Sequence, residues 1–173
     1  VDLGTTGCRS IVYNEDFVPI GEQYYEYPLI NISEKKIEQD ANLWWELVKK
    51  SILNAVKSSK AKKSNIKGIS VSSQGISFVP INEDGDVLRN AFSWLDMRAY
   101  EQTKHIKESI CEKELYEKTG KRLGAAYTLP KVMWFKENEK DIYKQTYKIL
   151  MPHDYIIYKL CGQIATDHTM AAG

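Results

Sequence analysis

Four short segments hold the residues whose types and spacing could do chemistry. Near the start, Asp2-Leu3-Gly4-Thr5-Thr6-Gly7-Cys8-Arg9 joins two apolar stretches. Glycines let a turn come close to a phosphate, and successive N–H groups with threonine hydroxyls can donate to its oxygens. An aspartate ending the preceding strand can hold a divalent cation through water, because Mg²⁺ prefers carboxylate and water oxygens. The same string also fits an ordinary hairpin turn. Ser72-Ser73-Gln74-Gly75 puts an amide at the carboxyl end of an apolar run, the sheet edge at which α/β proteins bind ligands. An amide donates to one hydroxyl and accepts from another, which suits a polyol, although the segment in isolation reads more plainly as a turn. Trp94-Leu95-Asp96-Met97-Arg98 combines an apolar face with charges that bond hydroxyls in pairs. Its plainer reading is a core tryptophan beside a capping aspartate and a surface arginine. Residues 166–173 form a polar turn entering a run of small residues; adjacent Asp167 and His168 diverge and have no third ligand nearby in sequence, which argues against a metal there.

The elements around these segments follow from periodicity and turn chemistry. Residues 1–3 read as the end of a buried strand, 9–13 as a second strand and 17–27 as a third, with a hairpin turn at Asn14-Glu15-Asp16 and Gly21 as a bulge. Asp40 is an N-cap for a long helix, in which Trp44, Leu47, Val48, Ile52, Ala55 and Val56 recur at three- and four-residue spacing. A short buried strand is expected over 69–73, and a hairpin over 74–81 and 87–92 about Asp84-Gly85. Helices are expected over 98–109, over 112–119 with Gly120 as the stop, and over 129–138 with Pro130 in the first turn. A strand over 148–151 and a helix over 153–160 ending at Gly162 complete the pattern. Without internal repeats or a low-complexity linker, one α/β domain with a helical insertion is the economical description.

Composition narrows the partners. The 173 residues are 43% hydrophobic and 27% charged, with Lys plus Arg at 24 against 23 acidic residues. That balance gives no footprint for nucleic acid or an anionic membrane. The five lysines between Lys57 and Lys67 lack interleaved aromatics and read as a solvated helix end. Three scattered cysteines, Cys8, Cys111 and Cys161, have neither zinc spacing nor an even count, so reduced thiols in a cytoplasmic protein are expected. No apolar run approaches the ~20 residues of a membrane span. The opening at Val1-Asp2, partway through a strand and without methionine, reads as a trimmed start.

DLGTTG between two strands resembles the first phosphate motif of the sugar kinase, heat-shock ATPase and actin superfamily. The fuller series resembles the FGGY carbohydrate kinases across essentially the whole chain: DLGTTGCR, Trp44-Trp45-Glu46, SSQG, WLDMRA, the stretch from Thr119-Gly120 through Tyr127 to Phe135, MPHDY and TDHTMAAG. The resemblance implies a ribonuclease H-like, actin-like α/β domain with a mixed sheet flanked by helices. It implies ATP and Mg²⁺ as cofactors, with Asp2 near the metal, Gly4, Thr5 and Thr6 at the phosphates, and Arg9 supporting that loop. Gln74, Gly75, Trp94, Asp96, Arg98 and Tyr127 match sugar-site positions. Gly75-Ile76 stands where the glycerol-using branch has Arg-Glu, which points to a ketopentose such as xylulose. The family's catalytic aspartate falls beyond residue 173. Residues 1–173 are therefore expected to be the sugar-binding domain of a longer kinase, inactive alone, with a second domain of the same chain as partner. Dimers are common in proteins of this type. A non-catalytic sugar-binding or regulatory module is the alternative.

Overall fold

The computed structural model describes residues 1–171; Ala172 and Gly173, the end of the TDHTMAAG segment, lie outside it. The first sheet runs in the order β3-β2-β1-β6, from β1 (Asp2–Leu3), β2 (Gly7–Tyr13), β3 (Pro19–Glu26) and β6 (Ser72–Ser73). β1, β2 and β3 pair antiparallel, while β6 joins β1 parallel. The mixed sheet opened by three antiparallel strands is therefore present. Parallel pairing requires a crossover, supplied here by helix α1 (Ala41–Ser59). Asp40 caps α1 with one carboxylate oxygen, which accepts from the amides of Asn42 and Leu43. Trp44, Val48 and Ala55 are fully buried on its inner face, and Ser51 meets Ser10 of β2 across a buried 2.6 Å hydroxyl contact.

Gly21 does have a register irregularity opposite it, between Val12 and Tyr13. Its glycine identity has a separate cause. A Cβ there would lie 2.5 Å from both Ala55 O and Ser59 N, the backbone of α1. Backbone atoms in a helix cannot step aside, so Gly21→Ala is expected to lower the unfolding free energy by about 1–3 kcal/mol through overpacking. Gly68, where an added Cβ meets nothing within 4 Å, is the control. Equal urea midpoints for the two alanine variants would refute the close-approach explanation.

Two expectations need correction. Residues 69–73 are not a buried strand: only Ser72–Ser73 pairs with β1, and Ile69 is 54% exposed. Val1 N donates to Ser70 O and Ser72 N to Val1 O, so the parallel ladder begins only where β1 begins. The stretch 74–92 is also not a simple hairpin. β7 (Val79–Ile81) pairs with β9 (Lys148–Leu150), while β8 (Ala91–Phe92) pairs with β5 (Lys36–Gln39). Single bridges, Phe78 to Phe92 and Ile81 to Val87, are what remains of the hairpin. β4 (Ile30–Ser33) and β5 form a hairpin that the sequence pattern did not announce. The remaining helices are α2 (Tyr100–Ser109), α3 (Glu112–Thr119), α4 (Thr128–Asn138), α5 (Lys140–Gln145), α6 (Pro152–Cys161) and the short α7 (His168–Ala171). Gly120 and Gly162 end α3 and α6 in left-handed conformations, at φ 68° and 75°. Among the described residues no helix is long and apolar enough to cross a membrane.

Candidate functional site

The turn from Gly4 to Gly7 spends all four of its carbonyls on the protein. Gly4 O accepts from the Tyr27 hydroxyl, Thr5 O from Gln39 Nε2 at 2.8 Å, Thr6 O from Tyr27 N at 3.0 Å and Gly7 O from Gly4 N at 2.8 Å. Among the described residues no acceptor takes the amides of Thr5 and Thr6. Acceptors turned inward and donors left over make a turn that suits an anion, so these residues fit a phosphate. Asp2 is exposed on the adjoining strand, where a carboxylate fits a hydrated divalent cation. Arg9, opposite Asp2 in the ladder, lies 5.6 Å from the Tyr24 ring centre and so braces β2 against β3.

The second part of the site is bonded to that turn. Trp94 Nε1 donates to Thr5 Oγ1 at 2.9 Å, although the two residues are far apart in sequence. Gln39, fully buried on β5, spends its amide on Thr5 O, and its Oε1 accepts from Gln74 Nε2 at 3.0 Å. This chain sets the orientation of both amides: with Gln39 N–H committed, Gln74 must donate to Gln39. Among the described residues Gln74 Oε1 is then a buried acceptor without a partner. An unpaired buried acceptor costs about 1–3 kcal/mol, and a ligand hydroxyl would satisfy it. Trp94, 39% exposed, offers an apolar face beside it.

Gly75 lies in the same turn but is not the strained residue. Ser77 N donates to Gly75 O at 2.7 Å around Ile76, whose φ is 49°. Left-handed backbone at a β-branched residue costs of order 1–3 kcal/mol and persists only when its surroundings over-determine it. Thr128 Oγ1, at 3.5 Å, and Lys131 Nζ, at 3.3 Å, both reach Ile76 O. Tyr127 is the N-cap residue of α4, next to Thr128, and its backbone N–H donates to Gly124 O at 3.0 Å. Met170 Sδ lies 3.7 Å from where a Gly75 Cβ would be, which brings α7 over the turn. Asp167 caps α7 through Thr169 N and Met170 N, and Asp154 accepts from Met151 N.

Asp96 and Arg98 are taken up in a buried network of ion pairs. Asp96 is fully buried and accepts from Ile37 N at 2.7 Å, from Arg98 N, and from the Arg98 guanidinium at 2.8–3.0 Å. The same guanidinium reaches Glu38 Oε1 at 2.8 Å; Glu38 also pairs with Arg89, which in turn binds Glu139 at 2.7 Å. Burial alone would push the Glu38 carboxyl up, but the two guanidiniums prevail and hold it below the usual range. Glu38, Gln39, Arg89 and Lys131 escaped sequence reasoning. Their partners lie tens of residues away, and a charged residue in a short polar strand reads as solvated.

The fold is that of an α/β domain with a mixed sheet, and the turn between β1 and β2 has a geometry that suits an anion. The chain matches the N-terminal domain of the FGGY family of carbohydrate kinases over residues 1–173, and it belongs to that family. It is 33% identical over 173 residues to the xylulose kinase of Bacillus subtilis (strain 168), covering 100% of this chain and 34% of that protein. Two structures from Lactobacillus acidophilus, a ligand-bound xylulose kinase and a gluconate kinase, each superpose with a TM-score of 0.90 at 29% identity. Each alignment covers 99% of this chain and 34% of the solved one. The actin-like fold is thereby established. The chain spans about a third of the length of the curated relatives it matches.

Proposed function

We propose that this chain is the sugar-binding domain of an ATP-dependent, cytoplasmic carbohydrate kinase that phosphorylates a ketopentose of the xylulose type. The observation that carries this reading is the hydrogen-bonded chain Gln74–Gln39–Thr5–Trp94, which joins a polyol-seeking amide to a phosphate-seeking turn. Phosphoryl transfer is chiefly positioning and electrostatics, and a rigid link between the two half-sites is what it needs. Bound ATP with Mg²⁺ supplies the phosphoryl group and neutralises its charge. Thr5 and Thr6 would hold phosphate oxygens, Asp2 would orient the hydrated cation, Gln74 Oε1 would accept a hydrogen bond from a sugar hydroxyl, and Trp94 would cover the carbon chain.

A neutral sugar suits this edge better than an aldonate. Arg98 and Lys131, the basic side chains nearest the Trp94 and Gln74 loops, are buried and engaged by Asp96, Glu38 or backbone carbonyls, so neither is free to pair with a carboxylate. Asp96 is equally committed, so it cannot take the proton of the acceptor hydroxyl. We expect that base from another part of the complete kinase, and the domain alone is expected not to turn over.

A coupled ATP-consumption assay on the complete kinase, against ketopentoses, glycerol and gluconate, tests the reading. Selective use of xylulose supports it, and Gln74→Ala should then raise the sugar KM ~10-fold or more with little change in the ATP KM. Preference for gluconate would correct the substrate, and no turnover of any sugar would leave a binding module.

A further inference from the structure

Lys131 is fully buried, and nothing in the proposed chemistry uses it. Its stem comes from the first turn of α4 and its amine ends between two loops. Nζ donates to Ser93 O at 2.8 Å and to Ile76 O at 3.3 Å. Ser93 immediately precedes Trp94, and Ile76 closes the turn that begins at Gln74. The two loops otherwise meet through Trp94 N donating to Ser77 Oγ at 2.8 Å, and through the Phe78–Phe92 bridge below.

We propose that Lys131 is a positioning residue of the sugar site, holding the strained Gly75–Ile76–Ser77 turn against the Ser93–Trp94 loop so that Gln74 and Trp94 keep a fixed spacing. Three features converge on this role. A buried amine is costly unless its bonds are required. The carbonyl that it reaches belongs to the one β-branched residue in this turn with left-handed backbone, a conformation that needs outside support. Lys131 also has two carbonyl acceptors, which match the two N–H groups of a neutral amine and leave one proton of an ammonium over. Burial accordingly pushes the amine down to about 7; the nearby Asp96 carboxylate opposes this and the Arg98 guanidinium adds to it.

The inference rests on the sugar-kinase reading, so the complete enzyme is assayed beside its Lys131→Met variant. Methionine keeps the buried stem and removes both donors. The expected result is a sugar KM raised ~10-fold or more, with the ATP KM within about two-fold of wild type, because the phosphate turn is held by Gln39 and Tyr27 instead. Lys131→Gln, which keeps an N–H donor on a shorter stem, should fall between wild type and methionine. In the background of Ile76→Gly, where left-handed backbone costs little, the methionine effect should shrink. An unchanged sugar KM in Lys131→Met, or equal rises in the sugar and ATP KM, overturns the assignment. Failure of both lysine variants to fold marks Lys131 as a core residue and overturns it too. Absence of wild-type turnover defeats the kinase reading itself, a result distinct from all of these.

Discussion

Asp96→Ala is expected to cost the domain ~3–5 kcal/mol, much of the ~5–15 kcal/mol that holds a folded domain together. The size follows from what the substitution strands. Asp96 is fully buried, and the Arg98 side chain is only 3% exposed. Without the carboxylate, the Arg98 guanidinium keeps Glu38 alone, which it shares with Arg89, and Ile37 N loses its acceptor. Neither group can recover those bonds from water. Removing both charges in Asp96→Ala with Arg98→Met should cost less than the sum of the two single changes, because no unpaired buried ion remains. Urea unfolding of the two singles and the double measures this coupling. A single-site cost below about 1 kcal/mol would mean that the network is more open to solvent than its burial indicates. The test bears on function because Asp96 and Arg98 lie two and four residues after Trp94. They brace the loop that presents Trp94, and loss of the pair should appear in stability before sugar affinity.

Between pH 7 and 9 the domain should gain stability through Lys131, and Lys131→Met should abolish that gain. Burial is the first cause of the depressed value of about 7, against 10.5 for an ordinary lysine; the Asp96 carboxylate works against it and Arg98 with it. In this window the folded protein holds a neutral amine while the unfolded chain carries an ammonium, so unfolding takes up a proton. Stability therefore rises with pH, is complete above 10.5, and is lost as pH falls toward 7. The slope approaches ~1.4 kcal/mol per pH unit, or about 2 kcal/mol across the two units. Cys8 works in the opposite sense at higher pH, since burial keeps its thiol protonated. The difference between wild type and Lys131→Met cancels that contribution. Parallel stability–pH curves for the two proteins would show that Lys131 keeps its proton when buried.

Local chemistry was legible where it was self-contained. The Asp40 cap, the stripe on α1, the glycine stops at Gly120 and Gly162 and the DLGTTG turn each depend on neighbours within a turn or two of chain, so residue type and spacing were enough. The same holds for the antiparallel opening, whose strands follow one another directly. The β4–β5 hairpin was missed because its turn, Glu34-Lys35, has none of the glycine or asparagine that marks tight hairpins, and because its strands are short and polar. The run 74–92 was misread because its two halves take partners in β9 and β5, far off in sequence.

At the site the division follows the same physics. Residue types left Gln74, Trp94, Thr5 and Thr6 open between turn, core and site, and the family resemblance is what named them as candidate sugar and phosphate contacts. Which of them bond one another, and which keep an unpaired group among the described residues, was decided by packing. Asp96 and Arg98 look like ligand-binding charges in a row of letters. Only Glu38 and Arg89, delivered by other strands and loops, turn them into a closed network, because a buried charge must find its counter-charge in space rather than along the chain. Lys131 was invisible for the same reason: a lysine in an amphipathic helix reads as solvated until two loops close over it. The sequence by itself determined the family and, through its resemblance, named a candidate phosphate turn and candidate sugar contacts; the tertiary structure alone decided which polar groups stay unpaired among the described residues, since satisfaction of a hydrogen bond is a property of distance and not of order.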